Sequence, residues 1–170
     1  MDISALFTIS YGLYVLSAKD TDGRYVGCVI NAAMQSSAEP PSMVVCSNKE
    51  NYTTDAILRS GKFVVSVFSQ DADMATIGRF GFRTSKDIEK FEGMPMRLTE
   101  SGLPALEKFV CSFMECEVKN YIDIHTHMLI QGDILQTERV SDAAPLTYDY
   151  YHKVIKGLTP KKAVSYVKPD

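Results

Sequence analysis

GCVINAAMQSSAEPPSMVVCSNKENYTTDAI, residues 27–57, sets the architecture of this chain. Residues 26–34 are apolar with small side chains, and MVVC at 43–46 is a short run of strand formers. Each is too short for a typical helix and is bounded by breakers, so both read as strands. Pro40-Pro41 removes two backbone donors and fixes φ twice, which makes the ladder pause and turns the pair into a hairpin-like ribbon. After the second strand a polar run leads into Ala56, Ile57 and Leu58, with Gly61 as the helix stop. Asn51 suits the N-cap, and Thr53 and Thr54 fall in the first turn. Helix N-termini offer free N–H groups and partial positive charge, and Lys49 adds a full one, so the turn has the chemistry of an anion cradle without a glycine-rich loop. The same residues also serve as plain caps, and local pattern alone does not choose between the two.

Upstream, residues 11–18 alternate as a strand, and Asp22-Gly23 supplies the turn that pairs them with residues 25–33. Downstream, KFVVSVFS at 62–69 is a strand rich in Val and Phe. Asp71 or Asp73 caps a second helix, with Met74, Ile77 and Gly78 expected inward. The segment 79–86 then reads as a loop carrying two Phe around a Gly and three cations. Residues 86–106 are rich in turns, but Phe91, Met96, Leu98 and Leu103 argue for a packed excursion. Two further strands follow at 110–118 and 124–135, the second with Gly132 as a bulge or close approach. The segment 146–156 has helical spacing, and residues 157–170 read as an extended tail. The whole is expected to be one domain over residues 1–170, mainly β.

Composition narrows the function. A chain of 170 residues with 45% hydrophobic content buries a sizeable core, and its formal net charge of −3 argues against nucleic acid. No apolar run approaches membrane-spanning length, so we expect a soluble, cytoplasmic protein with no membrane association. Cys28, Cys46, Cys111 and Cys116 include no CxxC pair, which disfavours zinc, an iron–sulfur relay and a structural disulfide. His125 and His127, two apart, share a face if they lie on one strand, but no third ligand is evident and no metal is expected. GxSxG, HExxH, GxGxxG and P-loop signatures are absent from the chain.

Several words taken together resemble the flavin reductase-like family. They are YGLYVLSAK at 11–19, GCVINAAMQ at 27–35, EPP at 39–41, NKENYTTDAI at 48–57, IGRFGFRTSKDIEKFEG at 77–93 and APLTYDYYHKVIKGLTPK at 144–161. The likeness covers nearly the whole chain and includes the flavoredoxins and the flavin-reductase part of high-molecular-weight rubredoxin. It implies a six-stranded antiparallel Greek-key split barrel with short flanking helices, binding FMN. It also implies a homodimer, with Tyr151 and Tyr166 near the interface.

Carried over by position, Asn31, Ala32, Met34, Gln35, Ser36 and Ser37 are expected at the ring edge and ribityl chain. Ser47, Asn48, Lys49, Tyr52, Thr53 and Thr54 are expected at the phosphate, with Phe80, Phe82 and Arg83 covering the cofactor. HTHMLIQGDI at 125–134 matches a strand whose histidine lies near the flavin, which makes His127 the catalytic candidate and His125 the second choice. Ser36 stands where relatives often carry Val, and Lys162, Val164 and Ser165 depart from the usual tail. The implied activity is electron transfer from NADH or NADPH through flavin to an acceptor, since a flavin supplies chemistry for which the chain itself has no motif. The alternatives are an electron carrier working with a rubredoxin- or ferredoxin-like partner, and a non-catalytic flavin-binding module.

Overall fold

The computed structural model describes residues 2–166. A 3-10 turn, Ile3–Thr8, precedes the strand β1 (Tyr14–Lys19), which pairs antiparallel with β2 (Tyr25–Ile30). Asp20 and Gly23 close the expected turn, with Gly23 at φ 85°, a conformation that glycine adopts without steric cost. A ribbon of β3 (Ala33–Ala38) and β4 (Pro41–Asn48) follows, then α1 (Tyr52–Ser60) and β5 (Lys62–Phe68). Next come α2 (Met74–Gly81), a small hairpin of β6 (Met96–Leu98) and β7 (Pro104–Leu106), the long hairpin β8 (Val110–Ile124) and β9 (His127–Arg139), and α3 (Tyr148–Lys153).

The main sheet is antiparallel in the order β2-β1-β5-β8-β9-β4-β3. Its two edge strands, β2 and β3, are consecutive in sequence and separated only by Asn31 and Ala32. The sheet therefore curls until both edges meet one core: Leu16, Val26, Ile30, Met43, Val45, Phe63, Val65, Cys116 and Ile130, with Ala56 and Ile57 of α1 closing one end. β1 is buried on both faces, because Leu13 and Val15 pack into a second cluster with Ile77, Phe80, Phe91, Leu146, Tyr148 and Tyr151. The barrel is thus shared between an interior and a helical flank.

Sequence expectation and structure differ at several places, among them the expected loop at 79–86, whose first three residues belong to α2. The main sheet has seven strands and the excursion adds two more, against the six expected. The expected strand at 26–34 breaks at Asn31, whose side chain is buried and bonded to the tail, so Ala33 onward swings into the ribbon. Met74 faces solvent, while Asp73 caps α2 by accepting from Thr76 N at 2.7 Å. His125 lies in the β8–β9 turn at φ 51°, so it does not share a strand face with His127. Gly132 does mark a close approach: a Cβ there would lie 2.8 Å from the Phe63 ring and 3.0 Å from Cys116 Cβ. The β8 register shifts opposite it, between Val118 and Asn120.

Candidate functional site

The turn from β4 into α1 is held by its own polar groups. Asn48 Oδ1 accepts from Glu50 N at 2.9 Å, Thr54 Oγ1 donates to Asn48 O at 2.8 Å, and Ser47 Oγ lies 2.7 Å from Thr54 Oγ1. Ser47 and Thr54 are buried and spend their hydroxyls on the turn, a different duty from the ligand contacts expected of them. Lys49 turns away, with its ammonium 2.8 Å from Asp123 on β8. Asn51 has N-cap geometry without a side-chain cap bond, and its amide donates to Cys28 Sγ at 3.6 Å. Tyr52 and Thr53, at the start of α1, open onto a cavity of about 240 Å³.

The opposite wall is built by α2 and the loop after it. Phe80 lies inside α2 and is fully buried, edge-on to Phe91 at 5.1 Å between centroids. It anchors the helix to β2 through Gly27, where a Cβ would sit 3.1 Å from its ring. Ser85 Oγ bonds both N and O of Gly27 at 3.2 Å, and Arg79 staples the loop by donating to the carbonyls of Glu89 and Glu92 at 2.8 and 2.7 Å. These anchors bring Phe82 and Arg83 to the cavity, beside Tyr52 and Thr53.

Sequence reasoning missed Lys90. Its side chain is only 1% exposed, yet it lines this cavity and donates from Nζ to Phe80 O at 2.9 Å. Burial lowers its pKa to about 8, partly opposed by the nearby Cys28. The only sequence signal is its place next to Phe91, which drags it inward. Lys162 of the tail adds another cation, Asp87 a carboxylate, and the Cys28 thiol, pushed up by burial, lies at the floor. Basic side chains, hydroxyls and a helix N-terminus converging in one hollow make it suited to an anion.

A smaller space lined by Asn31, Gly81, Phe82, Pro160 and Ala163 links this cavity to another of about 230 Å³. Asn31, Ala32 and Met34 line the latter with Val44, Cys46 and Leu129. Shared lining residues, Gly81, Phe82, Pro160 and Ala163 on one side and Asn31 on the other, make the three spaces successive neighbours from α1 to the start of β3, and together they are termed the trench. Gln35 lies beyond it, bonding Ser37 O at 3.1 Å and lining a wide groove of about 690 Å³ with Met34, Met43, Met114 and Leu135. Ser36 bonds Ser42 at 2.9 Å and Ser37 bonds Glu39, so the structure brings neither hydroxyl into the trench.

His127 opens β9 opposite Asn48. Its Nε2 lies 3.2 Å from the carbonyl of Lys162 and its Nδ1 2.8 Å from Thr126 Oγ1. A carbonyl only accepts, so Nε2 carries the proton and Nδ1 accepts from the hydroxyl. Burial holds the imidazole's pKa below its ordinary value, in keeping with this neutral tautomer. Tyr151, expected near a dimer interface, is buried against Tyr148 in its own chain, while Tyr166 is half-buried in the tail. Among the described residues no three potential metal ligands cluster, and no helix is long and apolar enough to cross a membrane.

The family model described as "Flavin reductase like domain" matches residues 6–158. A ferric-chelate reductase (NAD(P)H) from Archaeoglobus fulgidus is 39% identical over 166 residues, covering 98% of both chains. High molecular weight rubredoxin from Moorella thermoacetica is 36% identical, covering 98% of this chain and 72% of its own. The crystal structure of flavoredoxin from Methanosarcina acetivorans superposes with a TM-score of 0.69 at 21% identity, covering 76% of this chain and 69% of its own.

Proposed function

The chain belongs to the flavin reductase-like domain family, and on that premise we propose that it is an NAD(P)H-dependent flavin oxidoreductase using FMN. The observation that carries this reading is the trench, polar and cationic at one end and apolar at the other. Its donors suit a phosphate monoester: the first-turn N–H groups of Tyr52 and Thr53, the guanidinium of Arg83 and the ammonium group of Lys90. Phe82 and Met34 supply apolar walls for a flat ring, and Asn31 supplies an amide at its edge. When bound, the flavin supplies the two-electron uptake from a reduced nicotinamide and the onward transfer.

The chain's own contribution is to orient and shield. Lys90 and Arg83 neutralise the phosphate, Asn31 fixes the ring edge, and His127 offers a proton at Nε2 beside the trench. The same oxidoreductase reading extends to ferric chelates as acceptors, following the name of the Archaeoglobus fulgidus relative. A redox partner protein is the second reading, favoured by the rubredoxin-containing relative.

We also propose a homodimer. Met34, Val44, Cys46, Leu129 and Ile122 are cross-strand or same-face neighbours from β3 to β8, and they form an apolar outer surface with Met34 63% and Ile122 56% exposed. A second copy laid there would shield the ring end of the trench. All four cysteines are free, which supports the cytoplasm as the compartment.

An anaerobic absorbance titration tests the function. The purified protein with one equivalent of FMN should bleach in the visible on addition of NADH or NADPH and recover on addition of a ferric chelate. A protein that stays colourless after incubation with excess FMN sinks the reading.

A further inference from the structure

The tail crosses the trench and is latched at residues widely separated in sequence. Asn31 donates from Nδ2 to Ser165 Oγ at 2.7 Å, His127 Nε2 holds the carbonyl of Lys162 at 3.2 Å, and the Lys162 ammonium bonds the Glu50 carbonyl at 3.3 Å. Pro160 and Ala163 lie over the link between the two ends of the trench. Asn31 belongs to the ring end and Glu50 to the turn before α1, so one short segment spans the length of the proposed cofactor site.

Its attachments are weak in kind. Lys161, Lys162 and Val164 are exposed, and local order comes from two turn bonds, Ala163 N to Pro160 O and Tyr166 N to Ala163 O, both 3.0 Å. Only its root is firm: Tyr148 OH and Tyr151 OH donate to Thr159 Oγ1 and Leu158 O at 2.9 and 3.2 Å. A segment held by a handful of hydrogen bonds and one exposed ion pair, Lys162 with Glu50 at 3.5 Å, opens more easily than the barrel beneath it.

We propose that residues 159–166 are a lid over the flavin trench of their own chain, and that its opening sets the rate at which flavin enters and leaves. This rests on the flavin reading above. Closed, the lid occupies His127 Nε2 and the Asn31 amide together; open, it frees Asn31 at the ring end and His127 beside the turn into α1. Retention of flavin as a prosthetic group or its exchange as a substrate is then decided by the latches.

Stopped-flow fluorescence with FMN alone tests this without turnover. In the full chain, Ser165→Ala should raise both association and dissociation rates about threefold, and a chain ending at Pro160 should raise both about tenfold. The dissociation constant should move by less than about threefold, because a gate changes both rates alike. Normal FMN binding with unchanged rates overturns the lid and leaves the flavin site standing. Faster dissociation alone overturns it too, since the tail is then a wall. Failure of the unaltered chain to bind FMN removes the flavin reading and the lid with it. If the shortened chain does not fold, Ser165→Ala and Lys162→Gly in the full chain carry the same comparison.

Discussion

At the α1 end of the trench a cation is buried and the wall is stapled by Arg79 and Ser85. On the β3–β4 ribbon the hydroxyls satisfy one another, and the outward side chains, Met34 above all, face solvent. Enclosing a charge costs free energy unless polar partners or a counter-charge meet it, so the buried Lys90 suits the α1 end to an anion. Leaving an apolar face exposed costs free energy until another apolar surface covers it, so the ribbon suits a docking neighbour. On the reading proposed above, a ligand completes one end of the trench and a second copy of the chain covers the other.

Three experiments break or sharpen that contrast. The largest effect is expected on the ribbon side: Met34→Glu combined with Ile122→Glu places two charges on the proposed contact and should weaken self-association by a factor of about 100 or more. Sedimentation velocity reads this directly, and an unchanged distribution refutes the assignment of the face.

Next comes Lys90→Met, which keeps the volume and removes the charge. Losing a charge-assisted hydrogen bond should weaken FMN about 10- to 100-fold while leaving riboflavin, which lacks the phosphate, nearly unaffected. pH sharpens the test. The folded protein holds Lys90 at about 8 against an ordinary 10.5, so between those values the unfolded chain binds more protons and stability rises with pH. On the proposed reading FMN affinity runs the other way, beginning to fall as pH climbs past about 8, where the free protein loses the Lys90 ammonium. Both dependences should flatten in Lys90→Met, and a fall in FMN affinity that persists in the variant places the titrating group elsewhere.

The smallest effect is expected from Lys49→Ala. The sequence puts this lysine beside the helix N-terminus, but it is paired with Asp123 at the exposed surface, and such pairs contribute about 1 kcal/mol or less. FMN affinity should change by less than about threefold; a loss as large as that of Lys90→Met returns Lys49 to the phosphate.

Much of the scaffold was legible before the structure. The β1–β2 hairpin, β5, the caps at Asn51 and Asp73 and the helix stop at Gly61, found at φ 73°, are local features, encoded by turn chemistry and periodicity within a few residues. The site was legible in part. Tyr52, Thr53, Phe82 and Arg83 do meet around one cavity, and Asn31, Ala32 and Met34 do line another. Ser47, Thr54 and Lys49 are the right kinds of residue for an anion, but the turn itself claims the hydroxyls of Ser47 and Thr54, and Asp123, distant in sequence, draws Lys49 away.

The amino-acid sequence by itself determined a mainly β chain, its turns, its caps and its family. Tertiary structure alone decided which lysine is buried, which histidine keeps a strand position, and where the tail comes to rest. Those outcomes depend on partners such as Asn31 and Ser165, 134 positions apart. Periodicity and turn preference act over a few residues, whereas burial and charge pairing are settled only when the curled sheet brings distant segments into the same few ångströms.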